Sequence, residues 1–108
     1  MRLTSYKLFF RALSNKTRFE IIQLLRKEPL DVTSISKRLG FEQSRVSHNL
    51  KCLENCGFVV ARRNGKNKVY YLDKEYIIPI LDEIDKYIEQ YKERLKKCGV
   101  LKEKLEER

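Results

Sequence analysis

The chain has 108 residues, of which 42% are hydrophobic and 36% charged, a composition that predicts one folded domain with a modest core. No apolar run approaches the roughly 20 residues that span a bilayer, and no secretory signal opens the chain, so we expect a cytoplasmic protein with no membrane partner. The net charge of +9 lies entirely in residues 1–72, which contain 15 Lys and Arg but only 5 Asp and Glu. This excess of positive charge favours a polyanionic partner for that region, although a basic surface that only aids solubility gives the same charge.

Apolar residues at helical spacing predict three helices in the first 40 residues. A first helix, over residues 5–13, presents four apolar residues that favour core or dimer contacts over a ligand site: Tyr6, Phe9, Phe10 and Leu13. Ser14 is the predicted N-cap of a second helix, with Phe19, Ile22 and Leu25 as its buried face and Pro29 as its end. A shorter third helix ends at Gly40.

The stretch "QSRVSHNLK", residues 43–51, opens a fourth helix that continues to about Asn55. Val46, Leu50 and Leu53 share one side of this helix and are predicted to face the core. The opposite side carries a run of hydrogen-bonding groups: Gln43, Ser44, Arg45, Ser47, His48 and Lys51. A face of this kind indicates a polar partner.

A hairpin follows the fourth helix. Phe58–Val60 begin an extended run, and Val69–Leu72 form the return strand. Asn64-Gly65 predicts a type I′ turn, in which both central residues need positive φ. The turn and its flanks carry four basic residues: Arg62, Arg63, Lys66 and Lys68.

The last helix begins near Pro79 and carries apolar residues at heptad spacing. These are Ile77, Leu81, Ile84, Ile88, Tyr91, Leu95 and Cys98, after which Lys102 interrupts the pattern and Leu105 resumes it. The spacing predicts a seam for another helix.

This order of elements predicts a mainly α fold with a small β-hairpin, a winged helix-turn-helix that fits duplex DNA. The major groove admits one α-helix, whose first residues reach the base edges. Gln43 can pair with adenine, Arg45 with guanine, and Ser44 and Ser47 with either. Asn49 and Lys51 are better placed for the DNA backbone, and the basic hairpin suits phosphates or the adjacent minor groove.

The runs "ALSNKTRFEIIQLL" and "ISKRLGFEQSRVSHNLKCLENCGFVVARRNGKNKVYYL" resemble the ArsR/SmtB family of winged-helix repressors. The resemblance implies a homodimeric repressor that binds an imperfect inverted repeat of double-stranded DNA. Within a single domain over 1–108, it implies a DNA-binding part at 14–72 and dimerisation helices at 1–13 and 76–105, with Phe9 joining the seam. Its wing corresponds to Arg62–Lys68, and its DNA-reading positions correspond to Gln43, Ser44, Arg45, Ser47 and His48. Glu42 departs from the Ser or Thr common at that N-cap; it either repels phosphate or contacts a cytosine amino group.

Metal sites of this family are not matched in the chain. Asp31 and Thr33 stand where a "CVC"-type motif would place its cysteines, and the only His is His48. In the last helix Asp82, Glu83, Asp85 and Glu89 form a predicted solvated acidic face, because carboxylates alone make a poor zinc site. We therefore expect no metal and no cofactor.

The three cysteines, Cys52, Cys56 and Cys98, leave three interpretations open. Packing is the first, favoured above all for Cys56 beside Gly57. The second is a redox sensor, because Lys51 beside Cys52 favours the thiolate. The third is a thiolate metal site that joins the first two cysteines and Cys98.

No catalytic arrangement is found in the sequence: there is no Gly-rich phosphate loop, and one His with no nucleophile context does not indicate a triad. We expect a regulator and not an enzyme. The alternative from another class is a protein-interaction module, in which the same helix and hairpin contact a protein surface.

Overall fold

The computed structural model describes residues 2–99. In this part of the chain the elements follow the order α1 (Arg2–Ser14), α2 (Lys16–Lys27), β1 (Leu30–Asp31), α3 (Val32–Leu39), α4 (Gln43–Asn55), β2 (Val59–Asn64), β3 (Asn67–Leu72) and α5 (Ile77–Lys96). This order confirms the predicted winged helix-turn-helix with a long C-terminal helix. The chain divides after Lys74 into two compact units, the first holding α1–α4 and the sheet and the second holding α5.

The start of α2 differs from the prediction. Asn15, and not Ser14, is its N-cap: the Asn15 Oδ1 accepts a hydrogen bond from the Arg18 backbone N–H at 3.0 Å. Ser14 remains in the last turn of α1, where its hydroxyl donates to the Arg11 carbonyl at 3.2 Å. Ser14 is part of α1, whereas an N-cap residue has a non-helical backbone conformation, as Asn15 does here.

The core of the first unit is built from α2, α3, α4 and β2. Its fully buried side chains are Ile21, Ile22, Ile35, Val46, Leu50, Leu53 and Val59. Burying an aliphatic side chain of this size contributes about 1.5–3 kcal/mol. Phe19, predicted to face inward, is instead 37% exposed. Phe9 is half-buried, with its ring centroid 5.4 Å from that of Phe58.

The sheet has three antiparallel strands with β3 in the centre. The prediction missed β1, because two residues are too short to show a period; Leu30 pairs with Tyr70 and Asp31 with Val69. The hairpin is confirmed, but its turn is shifted by one residue. Asn64 pairs with Asn67, which leaves Gly65 and Lys66 as the central residues. Gly65 has φ +67° and, among residues 2–99, only glycines have positive φ, so the predicted type I′ turn is wrong and the pattern is that of type II′.

The end of α4 fixes where the wing begins. Gly57 has φ +79°, a conformation that favours glycine, and its N–H donates to the Glu54 carbonyl at 3.0 Å. The Phe58 N–H donates to the Leu53 carbonyl at 2.9 Å. This pair of bonds is the Schellman motif, which turns the chain out of the helix and directly into β2.

The second unit consists of α5 as far as it is described. Pro79 is the third residue of this helix, in the first turn, where a missing N–H costs little. Glu83 and Glu89 make ion pairs with lysines three residues later, in keeping with a solvated acidic face. Lys102 and Leu105, which interrupt and resume the heptad pattern, lie outside the described residues. No helix among residues 2–99 combines the length and apolarity needed to cross a membrane.

Candidate nucleic-acid interface

One face of α4 is polar and exposed along its first two turns. Val46, Leu50 and Leu53 are 0% exposed and attach the helix to the core. The side chains that the sequence predicted to face a partner are all exposed: Gln43, Ser44, Arg45, Ser47, His48 and Lys51. The structure therefore brings these six residues onto one accessible surface.

The turn that precedes α4 is held by hydrogen bonds to α3. The Phe41 N–H donates to the Ser36 carbonyl at 3.3 Å, and the Ser36 hydroxyl donates to the Phe41 carbonyl. Glu42 is the N-cap of α4 but makes no side-chain capping bond, as its residue type predicted. The first turn of α4 consequently presents its backbone N–H groups without a competing side-chain acceptor from Glu42.

Arg45 differs from the other residues of this face, because its guanidinium is bound within the chain. Its Nε lies 3.0 Å from the Thr17 Oγ1, and its Nη2 donates to the same oxygen. The guanidinium carbon lies 3.9 Å from the centroid of the Phe41 ring, a cation–π distance. Thr17 is 6% exposed. The Nε–Nη2 edge of the guanidinium is thus engaged within the chain, and a guanine contact through that edge requires these contacts to be given up.

Asn49 was predicted to contact the DNA backbone, and its position does not allow this. The side chain is buried; its Nδ2 donates to the Arg45 carbonyl at 2.8 Å, and its Oδ1 accepts from Arg18 Nη1 at 3.5 Å. Arg18 also donates to the carbonyls of Ala12 and Arg11, at 3.1 and 3.3 Å. Asn49 therefore joins α4 to α2 and to the end of α1.

Sequence reasoning missed Thr17 and Arg18 as parts of this arrangement. The available signal was weak: Thr17 precedes Ile21 and Leu25 by one and two helical turns, so it is a polar residue on a buried stripe. A polar residue at such a position needs a hydrogen-bonding partner. The sequence gives no indication that the partner is Arg45, 28 residues away.

The wing presents its four basic side chains to solvent: Arg62, Arg63, Lys66 and Lys68 are all exposed. Arg63 pairs directly with Lys68 across the hairpin, and like charges in that position destabilise a strand pair. A polyanion bound here would relieve the repulsion. On the other face of the hairpin, the Arg62 guanidinium lies 5.7 Å from the Tyr71 ring centroid.

Comparison with known proteins places this geometry in a family. The arsR family of bacterial regulatory proteins matches residues 15–60, from the N-cap of α2 to the second residue of β2. Over 84 residues the chain is 32% identical to the HTH-type transcriptional regulator CmtR of Mycobacterium tuberculosis, an alignment that covers 78% of this chain and 71% of CmtR. The chain belongs to the arsR family.

Two further relatives of this arsR-family chain are informative. It is 43% identical over 72 residues to the HTH-type transcriptional regulator NmtR of Mycobacterium tuberculosis, covering 67% of this chain; the chain spans 60% of the length of NmtR. The chain also matches the solution structure of Mb0332 from Mycobacterium bovis with a TM-score of 0.76 and 26% identity, covering 85% of both chains. Mb0332 is described as a homodimeric winged helix-turn-helix DNA-binding domain and a possible ArsR-family transcriptional regulator.

Asp31, at the position of a family metal-motif cysteine, has a structural role in this arsR-family chain. Its Oδ1 accepts from the Ser34 N–H at 2.8 Å and caps α3, and its Oδ2 accepts from the Asn67 Nδ2 at 2.9 Å. These hydrogen bonds hold the pKa of the Asp31 carboxyl below its usual value, the Ser34 N–H contributing most. Among residues 2–99, no three His, Cys, Asp or Glu side chains are grouped so that they could hold a metal ion.

Cys52 and Cys56 lie one turn apart at the end of α4. Cys52 is half-buried, but Cys56 is exposed, so the prediction that Cys56 is a packed core thiol is wrong. Partial desolvation raises the pKa of Cys56, and the Cys52 thiol raises it further, whereas Arg18 lowers it. Cys98, after α5, is half-buried.

The predicted dimer residues differ in their exposure. Ile77 and Leu81 are buried, so their side chains are not accessible to a partner. Ile84, Ile88 and Leu95 are exposed, and Tyr91 is half-buried with its ring centroid 4.8 Å from that of Tyr87. The sequence reasoning missed two residues that extend this exposed apolar stripe: Ile80 and Tyr87. In the first unit, Tyr6 and Phe10 of α1 are also exposed.

Proposed function

We propose that this chain is a sequence-specific, DNA-binding transcriptional regulator, a homodimeric repressor that acts in the cytoplasm. The observation that carries the proposal is the exposed polar face of α4, which lies in the same compact unit as an exposed hairpin with four basic residues and no acidic residue between Arg62 and Lys68. The relatives described as transcriptional regulators and as a DNA-binding domain support the same role.

The first turns of α4 enter the major groove in this proposal. Gln43 matches the paired donor and acceptor of adenine, and the hydroxyls of Ser44 and Ser47 can donate or accept. His48 is exposed on the same face, with one ring nitrogen as donor and the other as acceptor when neutral. Lys51, two turns from the start of the helix, contacts phosphate.

The wing supplies contacts that carry no base sequence. Arg62, Arg63, Lys66 and Lys68 neutralise phosphates along the backbone or enter the adjacent minor groove. Each neutralised phosphate releases condensed counterions, which makes the affinity depend on salt. Sequence preference then comes from α4 and a large part of the affinity from the wing.

The homodimer buries the exposed stripe of α5 together with the apolar residues of α1. Heptad-spaced apolar side chains that remain exposed in one chain are the residues that a second helix covers. Mb0332 is described as homodimeric, which supports the same assembly here. Two copies related by a two-fold axis present two α4 helices, and these read the two halves of an imperfect inverted repeat. Residues 14–72 then form the DNA-binding part, with dimerisation helices at 1–13 and 76–105.

The test is fluorescence anisotropy with duplex DNA from the protein's own upstream region, compared with a random duplex at two salt concentrations. We expect tight, selective and salt-sensitive binding. Gln43→Ala should weaken binding to the selective duplex by about 1–3 kcal/mol and leave the random duplex unaffected. Gln90→Ala, on α5, is the matched control and should bind as the wild type does. Weak and equal binding to both duplexes would count against the regulator and for the protein-interaction module.

A second candidate function adds thiol sensing to the same DNA-binding role. It is favoured by the position of Cys52 and Cys56 one turn apart on the helix proposed to enter the groove, and by the exposure of Cys56. A peroxide would oxidise both thiols to one disulfide and be reduced to water. Alkylation with N-ethylmaleimide and the Cys56→Ser variant test this function. Unchanged affinity after peroxide treatment would refute redox sensing and leave the DNA-binding proposal intact.

A further inference from the structure

We propose that Arg45 is a positioning residue that clamps α4 onto α2, with the Nε–Nη2 edge of its guanidinium held by Thr17 and not by a base. The inference rests on the proposed function, because it concerns how the reading helix is held. It assigns a role that the residue type alone does not suggest, since an arginine in the first turn of such a helix suits guanine.

The first argument is the geometry of the Arg45 side chain. Its guanidinium donates twice to the Thr17 hydroxyl oxygen and stacks on the Phe41 ring. These contacts join α4 to two other elements: α2 through Thr17 and the α3–α4 turn through Phe41. The Nε–Nη2 edge, one of the two guanidinium edges that can pair with guanine, is therefore occupied by Thr17 and is not available to a base.

The second argument is what the release of Arg45 would leave behind. Thr17 is 6% exposed, so its hydroxyl oxygen would lose two donors at a place that water hardly reaches. The Phe41 ring would lose a cation at 3.9 Å from its centroid. A guanine contact through the Nε–Nη2 edge must offset both losses before it contributes any affinity.

The third argument is the location of the clamp within a larger chain of hydrogen bonds. Asn49, one turn further along α4, donates to the Arg45 carbonyl at 2.8 Å and accepts from Arg18, which in turn donates to the Ala12 carbonyl at the end of α1. Two successive turns of α4 are thereby fixed to neighbouring helices by directional bonds. These are the turns that carry Gln43, Ser44, Ser47 and His48 to the bases.

The test measures binding of single-base-pair variants of the half-site to the Arg45→Ala and Thr17→Val proteins. A clamp predicts that each variant loses roughly tenfold in affinity, about the size of one charge-assisted hydrogen bond, by the same factor on every duplex. It also predicts that the double variant binds no worse than Arg45→Ala alone, and that Thr17→Ser, which keeps the hydroxyl, restores binding. Arg94→Ala, on α5, is the control.

A second readout does not involve DNA. The Nε–H resonance of Arg45 in the free protein should be protected from exchange and should lose that protection in Thr17→Val. Loss of preference at a single base pair in Arg45→Ala, with Thr17→Val binding as the wild type, would overturn the clamp and return Arg45 to base reading. If the wild-type protein itself showed no selective binding, the proposed function would fail, and the positioning role with it, even with a protected Nε–H.

Discussion

The wing gives the sharpest quantitative prediction, through the substitution Lys66→Gln. Lys66 is the second central residue of the hairpin turn, is exposed, and does not have positive φ, so glutamine can replace it without strain or lost burial. In a homodimer the substitution removes two phosphate contacts. The slope of log K against log salt should therefore become less steep by about 1.8, at roughly 0.9 per neutralised phosphate.

This difference in slope can be measured between 50 and 200 mM salt. Over that range the wild type should lose about 12-fold more affinity than Lys66→Gln, on selective and random duplexes alike. The control is Lys86→Gln, which removes an equal charge from α5, where Lys86 pairs with Glu83 at 3.0 Å. Equal slopes for the wild type and Lys66→Gln, or an equal change in both variants, would refute the reasoning that the wing lies on phosphates.

Four further predictions concern stability and assembly. Leu50→Ala removes a fully buried side chain and should lower the free energy of unfolding by about 2–5 kcal/mol, measured by urea denaturation. Gly57→Ala should cost about 1–2 kcal/mol in the same assay, entirely from its positive φ, because an added Cβ would meet no atom within 4 Å. Asp31→Ala removes the cap of α3 and should lower the free energy of unfolding by about 0.5–2 kcal/mol at pH 7. Because the folded pKa of Asp31 lies below 3.8, this difference from the wild type should shrink as the pH falls below that value. A difference that stays constant from pH 7 to 3 would contradict the capping role. Ile88→Lys places a charge in the exposed stripe of α5 and should yield a folded monomer by sedimentation, whereas a dimer would place the interface elsewhere.

The sequence predicted those features that depend on local period and on side-chain type. Val46, Leu50 and Leu53 follow helical spacing, and the structure buries all three completely. The missed strand β1 has two residues, and a period cannot be recognised in two residues. For α5 the heptad pattern identified a helix, but the burial of Ile77 and Leu81 shifts its exposed stripe toward Ile80 and Ile84.

The hairpin shows how a local signal can be right about a structure and wrong about its register. Asn64-Gly65 suits a type I′ turn, while Gly65 in the first central position suits type II′ equally well. The choice is made by the strands, because Val59 pairs with Leu72 and both are buried. A slip of one residue would turn those side chains to the opposite face of the sheet. Burial at the base of the wing therefore decides the backbone conformation at its tip.

Asn49 and Arg45 show why the candidate site was harder to predict than the fold. Apolar packing decides which side of α4 faces inward, but it is non-directional and tolerates small shifts of a helix along its neighbour. Hydrogen bonds between elements remove that freedom, and their partners are distant in sequence: Arg45 with Thr17, and Asn67 of the wing with Asp31 at the cap of α3. Both bonds join an element that we propose to contact DNA to another element of the same compact unit. In the proposed function, the residues of α4 and of the wing therefore divide into those that would contact DNA and those that hold them in place, and only the exposure and partners of each side chain distinguish the two kinds.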